Sequence, residues 1–400
     1  MKFKLSVGVA ALAVGALLMS GCAGGSTPSG PTDGPEDSDL GPLVIDSFQA
    51  LSGPVAPVGE AMSIGNRAAV NVINEQGGVF GKPIELVIED SAGSADQLAA
   101  KLQELLASKV PHAVLPGSAS EIPAGIPILA NAGVFTSHHF TADTFNDPAQ
   151  FPLVFGNAHT IPDYVASFTA KLVADGHKTV GVVNSDDASG QAFQAVAKPA
   201  LEDAGIEATF SAVAPTAVDA TPQIQQVLAN DPDALVFAGY FPGAIAMLNA
   251  RAKLGVDVPT IAAQTFGAND FSSVAPAELE GIEFQYLAAN VKGTEATSTE
   301  GFDIFYDAVL EEAGGSLPFP INTYMVSYND VILVAYAASL ANSLDPEKMV
   351  EALENAKPED MPLYVMPVGF SAENHYPLVT EEDFVFIPYS PTENGLVIAP

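Results

Sequence analysis

The chain has 400 residues, with 48 Asp or Glu against 14 Lys or Arg, so its formal net charge is −34. Such a charge repels phosphate backbones and argues against a nucleic-acid-binding role, while a single Cys excludes a disulfide framework. Hydrophobic residues make up 48% of the chain and charged residues 16%, which predicts a folded protein, and its length predicts two domains.

The N-terminus, residues 1–22, has the features of a secretion signal that ends at a cysteine. Two lysines precede an uncharged, mostly apolar run over 5–19, which is 15 residues long. A membrane span needs about 20 residues, so the run fits a signal peptide better. Ser20-Gly21 then precedes Cys22, and this arrangement resembles the bacterial lipobox. The resemblance implies lipidation of Cys22; an ordinary signal peptide with an incidental Cys is the alternative.

Residues 23–41 contain almost no apolar side chains and are rich in Gly, Pro, Ser and Asp, which predicts a flexible tether. A lipid anchor followed by a tether predicts an extracytoplasmic protein held at the cell membrane by Cys22. No later stretch approaches 18 uncharged apolar residues, so we predict no second membrane segment.

From residue 43 onward, strands and helices alternate. The first run predicts strands over 43–48, 84–89 and 113–115 and helices over 59–76 and 94–109, followed by another helix and a strand up to about 136. The second run predicts strands over 179–184, 206–213, 234–238 and 258–262 and helices over 191–204, 221–229 and 242–254. The last third predicts helices over 299–313, 323–343 and 346–355 and a strand over 384–387. Two such runs predict two parallel, doubly wound sheets.

Specific residues stand in a fixed order after the first strand: Ser52-Gly53-Pro54, Gly59, Gly65, Ala68-Ala69-Val70, residues 73–79, Gly81, Ile84-Glu85-Leu86 and Asp90. This order resembles the type I solute-binding proteins of ABC transporters, in the branched-chain amino acid (Leu/Ile/Val-binding) group. The match is strongest over 43–120 and thin beyond about 300.

The resemblance implies an α/β fold of two doubly wound, Rossmann-like lobes joined by a three-crossover hinge, the periplasmic-binding-protein-like I architecture. Lobe one would comprise 43–160 and 290–340, and lobe two 161–289 and 341–400. The ligand would bind between the lobes, which close by a hinge motion and then dock on a membrane permease.

The turn after the strand over 113–115 is the first candidate site. Gly117 permits close backbone approach, the hydroxyls of Ser118 and Ser120 can donate, and the N-terminus of the next helix carries about half a positive charge. Such a turn can hold a carboxylate without a basic side chain. The resembled family holds its ligand's carboxylate at this strand end, so Ser118 and Ser120 carry over. An ordinary Ser N-cap is the alternative.

The resemblance adds residues at two other strand ends. Phe140 and Thr141 stand where the family has a small residue followed by Thr. In lobe two, residues 239–243 match a family motif whose aromatic residue covers the ligand, which points to Tyr240. Histidines stand next to each other at 138 and 139, but adjacent residues rarely both point at one metal ion. No third ligand lies at a suitable spacing, so we predict no metal site.

Two departures from the family leave the ligand open. Ser189 stands where the family often has Tyr, and Thr265 falls near its acidic residue for the ligand's ammonium group. Because a buried ammonium needs a charged or multiply bonded partner, either Asp270 or Asp187 supplies it, or the ligand lacks an ammonium group. An α-amino acid, a keto acid and an aromatic carboxylate all fit.

The sequence contains no G-x-S-x-G, P-loop, H-E-x-x-H or G-x-G-x-x-G motif, so we predict no enzyme and no cofactor. We expect a monomeric, lipid-anchored receptor that captures a small carboxylate, an aliphatic or other hydrophobic amino acid, and delivers it to an ABC permease. A ligand sensor for a signalling partner and a binder of non-amino organic acids are the alternatives.

Overall fold

A computed structural model describes residues 40–240, 242–267, 269, 271 and 273–399. The signal peptide, Cys22 and the tether up to residue 39 lie outside the described residues, and so do Phe241 and Asp270. From Leu40 onward the chain forms one compact unit. Among the described helices, none combines the length and hydrophobicity that a membrane span requires.

The first sheet has five parallel strands in the order β2-β1-β3-β4-β5. Its strands are β1 Val44–Gln49, β2 Glu85–Asp90, β3 Ala113–Pro116, β4 Phe135–His138 and β5 Val154–Gly156, and the helices between them are α1 Ala56–Glu75, α2 Ala95–Ser108 and α3 Ile122–Asn131. Ser94 caps α2 as an acceptor for the Gln97 N–H. The apolar runs and the cap therefore produce the elements predicted for 43–136.

The second sheet has six strands in the order β12-β10-β9-β8-β6-β7. Its elements are α4 Ile161–Ala174, β6 Thr179–Ser185, α5 Ala188–Asp203, β7 Glu207–Val213, α6 Thr221–Leu228, β8 Ala234–Ala238, α7 Gly243–Lys253, β9 Thr260–Ala262, α8 Gln264–Gly267, α9 Pro276–Leu279, β10 Ile282–Leu287 and β12 Phe384–Pro388. Strand β12 runs antiparallel to β10. The prediction of wholly parallel sheets is therefore wrong at this edge.

The chain first passes from the first sheet to the second between β5 and α4, and it crosses for a second time after β10. The remaining elements follow this second crossing. They are β11 Val291–Lys292, α10 Glu300–Glu312, α11 Ile321–Ala341, α12 Pro346–Glu354, β13 Thr392–Glu393 and β14 Leu396–Ile398. Helices α10 and α11 pack against α1, and α12 packs against α11. Because α12 lies with the helices of the first sheet, its placement differs from the expectation that 341–400 belongs to lobe two. The chain crosses a third time before β12.

Helix α1 approaches α11 closely at Gly65. A Cβ atom at Gly65 would lie 2.2 Å from the Ser327 Oγ and 2.4 Å from the Tyr324 carbonyl oxygen. Most of α11 is buried, including Tyr324 and Tyr328. The helix pair is therefore part of the core of lobe one, and residue 65 must lack a side chain for it to form.

A short linker, residues 157–160, fixes how the two sheets face each other. It runs from Gly156 at the end of β5 to Ile161 at the start of α4. Because α4 leads into the parallel strand β6, its first turn lies at the carboxyl edge of the second sheet. A linker of this length spans at most about 18 Å. The carboxyl edges of the two sheets therefore face each other across the linker. In folds of this kind, ligands bind at the carboxyl edges of the sheets.

One apolar cluster extends through both lobes. It includes Ile45 and Phe155 from the first sheet, Phe168 of α4, Val182 of β6 and Phe193 of α5. A second cluster fills the other face of the second sheet, around Phe237, Phe266 and Phe284. The linker therefore lies beside a continuous core.

Candidate functional site

A small pocket lies at the carboxyl edge of the second sheet and is too narrow in this structure to hold a water molecule. It brings together three of the residues that the sequence predicted for the site, Ser189, Tyr240 and Thr265. The other residues that line it are Ser185, Gly190, Phe193, Ala238 and Gly239. None of its described lining residues is Lys or Arg, so the pocket offers no basic side chain to an anion.

Tyr240 presents its ring at this pocket. The residue as a whole is 43% exposed. Its hydroxyl is more buried, which raises the pKa of that group, and it forms a hydrogen bond with the Ser189 side chain. The phenol oxygen is thus held within lobe two while the ring remains accessible. An accessible ring beside a crevice can cover apolar ligand surface.

The N-terminus of α5 is capped by a carboxylate of the chain. Asp187 Oδ1 accepts hydrogen bonds from the Gly190 N–H at 2.8 Å and from the Ser185 hydroxyl at 3.1 Å. A Cβ atom at Gly190 would lie 1.8 Å from the Ser185 carbonyl oxygen, so the turn requires glycine. Asp187, one of the two residues considered for the ligand's ammonium group, therefore contributes to the helix cap.

Asn269 joins two loops of the pocket. Its Nδ2 lies 3.1 Å from the Gly239 carbonyl oxygen, 3.3 Å from that of Thr265 and 2.7 Å from that of Phe266. The loop that follows β8 and the loop that follows β9 are thereby held together. The other residue considered for the ammonium group, Asp270, is outside the described residues.

The loop after β4 reaches the same region from lobe one. The Ile161 N–H donates to the Thr141 carbonyl oxygen at 3.1 Å, and Thr141 is itself exposed. One turn further along α4, Tyr164 stacks on Phe193 of the pocket, with ring centroids 6.2 Å apart. The first turn of α4 therefore connects Thr141 to the lobe-two pocket.

The side chains of His138, His139 and Phe140 contact other residues of lobe one. The Phe140 ring packs 5.8 Å from that of Phe145. Nδ1 of His138 accepts the Phe140 N–H at 3.1 Å, and burial lowers the pKa of His138 to about 3. His139 Nδ1 lies 2.9 Å from Asp330 Oδ2. Within the described part of the chain, no three His, Cys, Asp or Glu side chains are grouped so that they could hold a metal ion.

Asp330 of α11 is the centre of a buried polar network. Its carboxylate accepts hydrogen bonds from the Ser137 hydroxyl at 2.8 Å, from His139 Nδ1 and from the Asn157 side-chain amide. All four residues are buried. Because Asn157 is the first residue of the linker, the network fixes the linker to β4 and α11. Sequence reasoning missed this network, since its members lie up to 193 residues apart.

A carboxylate of the chain also occupies the Gly117–Ser120 turn. Glu121 Oε2 accepts the Ser118 N–H at 3.1 Å and the Ser118 hydroxyl at 2.6 Å. The structure thus differs from the expectation that these donors are free for a ligand's carboxylate. Helix α3 begins at Ile122, four residues after Ser118, so these bonds close the turn and do not cap the helix.

Larger cavities lie elsewhere in the described part of the chain, four of them with volumes of about 640, 590, 460 and 460 Å³. The first is lined by residues that include Leu287, Thr294, Tyr364 and Val385, and one of the two of about 460 Å³ by residues that include Tyr286, Phe319 and Tyr389. None of the described site residues predicted from the sequence lines any of these four cavities. The predicted residues of lobe two therefore meet at the narrow pocket beside Tyr240.

His159 of the linker is buried next to the second sheet. Its ring lies 6.3 Å from that of Tyr164 and 5.8 Å from that of Phe384. Burial lowers its pKa from the ordinary 6.5 to about 4, against the opposing effect of a hydrogen bond with the Gln264 side chain. His159 is therefore neutral at pH 7, and protonation would place a charge within the linker.

We expect His159 to make the folded state less stable in acid. Since its folded pKa of about 4 lies below the ordinary 6.5, the unfolded chain takes up the proton first, and stability is lost as the pH falls from 6.5 to 4. Between pH 7 and pH 5 this residue should contribute a loss of about 2 kcal/mol. Urea unfolding at both pH values should show a smaller loss for His159→Gln than for the wild type; equal losses would contradict the assignment.

Comparisons with known proteins agree with this architecture. A sequence profile described as periplasmic binding protein matches residues 47–380. A Leu-, Ile-, Val-, Thr- and Ala-binding protein of Pseudomonas aeruginosa is 24% identical over 307 residues, which cover 76% of this chain and 79% of that protein.

Solved structures with a similar fold cover most of the chain. A type 1 periplasmic binding protein from Bordetella pertussis superposes with a TM-score of 0.70 at 20% identity, covering 88% of this chain and 98% of that one. The substrate-binding protein of a branched-chain amino acid transporter from Streptococcus pneumoniae, solved in complex with isoleucine, superposes with a TM-score of 0.67 at 19% identity and covers 90% of this chain and all of that one, 100%. At these identities the likeness establishes the two-lobed fold.

Proposed function

The chain belongs to the periplasmic binding protein family and is a solute-binding protein of the ABC-transporter type, and we propose that its solute is a hydrophobic amino acid held between the two lobes. The observation that carries this proposal is the pocket in which Tyr240, Ser189 and Thr265 meet beside the linker. The names of its relatives support the same class of ligand, since one is an amino-acid-binding protein and another was solved with isoleucine.

Each lobe contributes a different part of the proposed site. The accessible ring of Tyr240 would cover the apolar side chain of the ligand, with Ser189 and Thr265 beside it. From lobe one, the turn that carries Ser118 and Ser120 and the loop that carries Thr141 would contact the polar end. The contacts of Phe140 with the lobe-one core support a role in shaping that loop.

The remaining parts of the proposal concern location and partners. Membership of the family implies an extracytoplasmic location. The spacing of the leader and Cys22 supports lipid anchoring, and the tether over 23–41 would let the folded unit reach a membrane permease. We propose that the chain acts as a monomer, without metal or cofactor, and performs no catalysis. The carboxyl edges of the two sheets face each other across a short linker, and this arrangement supports capture of the ligand by closure of the lobes.

A panel of ligands tests the proposed function directly. Thermal unfolding of the chain from residue 40 onward should be followed with aliphatic amino acids, keto acids and aromatic acids. A ligand at 100 times its Kd adds about 2.7 kcal/mol to the free energy of unfolding, so an amino acid of the right class should raise the Tm visibly. If no member of the panel shifts the Tm, the proposed class of ligand is wrong.

Tyr240→Ala should weaken the best amino acid by about 1.5–3 kcal/mol, because the apolar cover of the ligand is lost. Tyr240→Phe is the matched control, since it keeps the ring and removes only the hydroxyl that bonds to Ser189. Calorimetric titration should show a much larger Kd for the alanine variant than for the phenylalanine variant. An unchanged Kd in Tyr240→Ala would place the ligand elsewhere.

A further inference from the structure

The cavity that Tyr286, Phe319 and Tyr389 help to line has an uncharged wall. None of its described lining residues is Asp, Glu, Lys, Arg or His, although the chain contains 48 Asp or Glu. Its volume of about 460 Å³ lies within the range of about 300–1,000 Å³ that is usual for small-molecule sites. A charged ligand would lose its hydration there without gaining a partner of opposite charge. The cavity therefore fits a small neutral molecule.

Carboxamide side chains supply much of the polar part of this wall. Five of them line the cavity: Gln264 and Asn269 after β9, Asn290 after β10, Asn322 at the start of α11 and Asn394 between β13 and β14. A carboxamide offers both donors and acceptors, and so does a hydroxyl group. Because the amides come from several segments around the cavity, a ligand with hydroxyl groups on all sides matches them better than a flat heterocycle with one polar edge.

Three of these amides have hydrogen-bonding capacity that the chain does not use. The side chains of Asn290, Asn322 and Asn394 form no hydrogen bond with another described residue. In Asn290 and Asn322, Oδ1 is buried without a partner among the described residues. Rotation about the last side-chain bond, which is broad for Asn, would present either end of the amide to a bound molecule. Buried amides of this kind gain stability from such a partner.

Aromatic rings form the apolar part of the wall. Tyr286 and Tyr389 both pack on Phe284, with ring centroids 6.4 and 5.5 Å away. The Phe271 N–H donates to the Tyr389 hydroxyl at 3.0 Å, and Phe319 adds a third ring to the wall. The negative face of an aromatic ring suits C–H bonds, which the carbon skeleton of a sugar or cyclitol presents.

Hydrogen bonds of the chain hold this cavity open without a ligand. The Ile321 N–H donates to the Gly395 carbonyl oxygen at 2.8 Å, and the Tyr306 hydroxyl donates to the Asn394 carbonyl oxygen at 3.3 Å. A Cβ atom at Gly395 would lie 2.8 Å from the Phe319 carbonyl oxygen, so the turn requires glycine. The C-terminal turn is thereby fixed against the segment that precedes α11.

We propose that this cavity is a second ligand site, which binds a small neutral polyhydroxy compound such as a monosaccharide or a cyclitol. The amides bond to the hydroxyl groups of the ligand, and the rings pack on its carbon skeleton. Gln264 and Asn269 line this cavity and Thr265 lines the Tyr240 pocket, so the two sites share a loop but no lining residue. Because the proposed amino acid binds elsewhere, the inference does not depend on the function proposed above.

Matched compounds test the class of ligand on the wild-type chain by saturation-transfer NMR. Among glucose, arabinose and myo-inositol, at least one should bind with a Kd that is equal at low and high salt, since no charge is involved. Glucosamine and glucuronate add one charge to the glucose ring and should bind about tenfold more weakly or worse, as should adenine, a flat neutral heterocycle. Failure of all three neutral compounds to bind, or equal binding of a charged sugar or of adenine, would overturn the proposal.

A single fluorescent residue tests the location. The chain contains no Trp, so in Phe319→Trp the only indole stands at the cavity wall. The best neutral compound should change its emission saturably. It should leave the emission of Val218→Trp unchanged, because Val218 is 91% exposed and does not line the cavity. Equal responses of the two variants would show an effect of the solution on indole and would overturn the assignment.

An amide variant tests the recognition without the reporter. Asn322→Ala should weaken the best neutral compound about tenfold in the saturation-transfer measurement, since one hydrogen-bonding group of the site is lost. It should remain folded, because the Asn322 side chain bonds to no other described residue. Asn355→Ala removes an exposed amide at the end of α12 and should leave the Kd unchanged. An unchanged Kd in Asn322→Ala would overturn the proposal, whereas the amino-acid panel tests the Tyr240 pocket separately.

Discussion

Asp330→Ala is expected to lower the free energy of unfolding by about 3–5 kcal/mol. The carboxylate accepts from Ser137, His139 and the Asn157 amide, and all of these groups are buried. Alanine would remove the carboxylate that accepts from all three donors in a region that excludes water, and the Asn157 amide would keep only a long contact of 3.5 Å with the Ser137 hydroxyl. Urea unfolding measures the loss as a lower midpoint at unchanged slope.

Two control variants make the Asp330 result specific. Asp330→Asn keeps one acceptor oxygen and should cost less than alanine. Asp307→Ala removes an exposed carboxylate from α10 of the same lobe and should change stability by no more than about 0.5 kcal/mol. If Asp330→Ala cost as little as Asp307→Ala, the network would not be holding β4, α11 and the linker together.

Gly65→Ala should destabilise the protein by about 2–3 kcal/mol, the upper range for an overpacked core. Helix propensity alone favours alanine over glycine by about 1 kcal/mol, so the expected sign is opposite to that of a free helix. The cause is steric, because the new Cβ would lie 2.4 Å from the Tyr324 carbonyl oxygen and 2.2 Å from the Ser327 Oγ. Helices α1 and α11 would have to separate.

Glu75→Ala is the matched control for this substitution, since Glu75 is exposed on the same helix. It should alter the free energy of unfolding by no more than about 0.5 kcal/mol. A Gly65→Ala protein as stable as the wild type in thermal and urea unfolding would show that α1 and α11 can adjust without loss.

Continuous apolar runs between glycines or prolines made most of the fold predictable. The strand over 234–238 was predicted with the bounds that β8 has, since its five residues are all buried and Gly239 follows them. Helix α4 was not predicted, although Tyr164, Phe168 and Leu172 follow a helical period. Strand β10 was not predicted either, although five of its six residues are buried. The strand over 384–387 was predicted and is β12, but its antiparallel pairing with β10 could not be, since β10 lies about a hundred residues earlier in the chain.

The candidate site was predictable only as far as local patterns reach. Tyr240, Ser189 and Thr265 were predicted from the resemblance to the family, and they meet in one pocket because parallel strands end at the same edge. The hydrogen bonds of Ser118 with Glu121 depend on where the Glu121 side chain folds, which the sequence does not specify. The Asp330 network depends on tertiary packing of α11 against β4, which no local pattern contains.

The continuous apolar cluster limits how this protein can be rearranged. Phe155 of the first sheet and Phe193 of α5 belong to the same buried group. The two halves are therefore not interchangeable modules, even though each resembles a complete doubly wound domain. A chimera that joined one half to a foreign partner would leave bare hydrophobic surface at the seam and would tend to aggregate. Redesign of ligand choice is thus better confined to loop residues at the strand ends than attempted by exchanging halves.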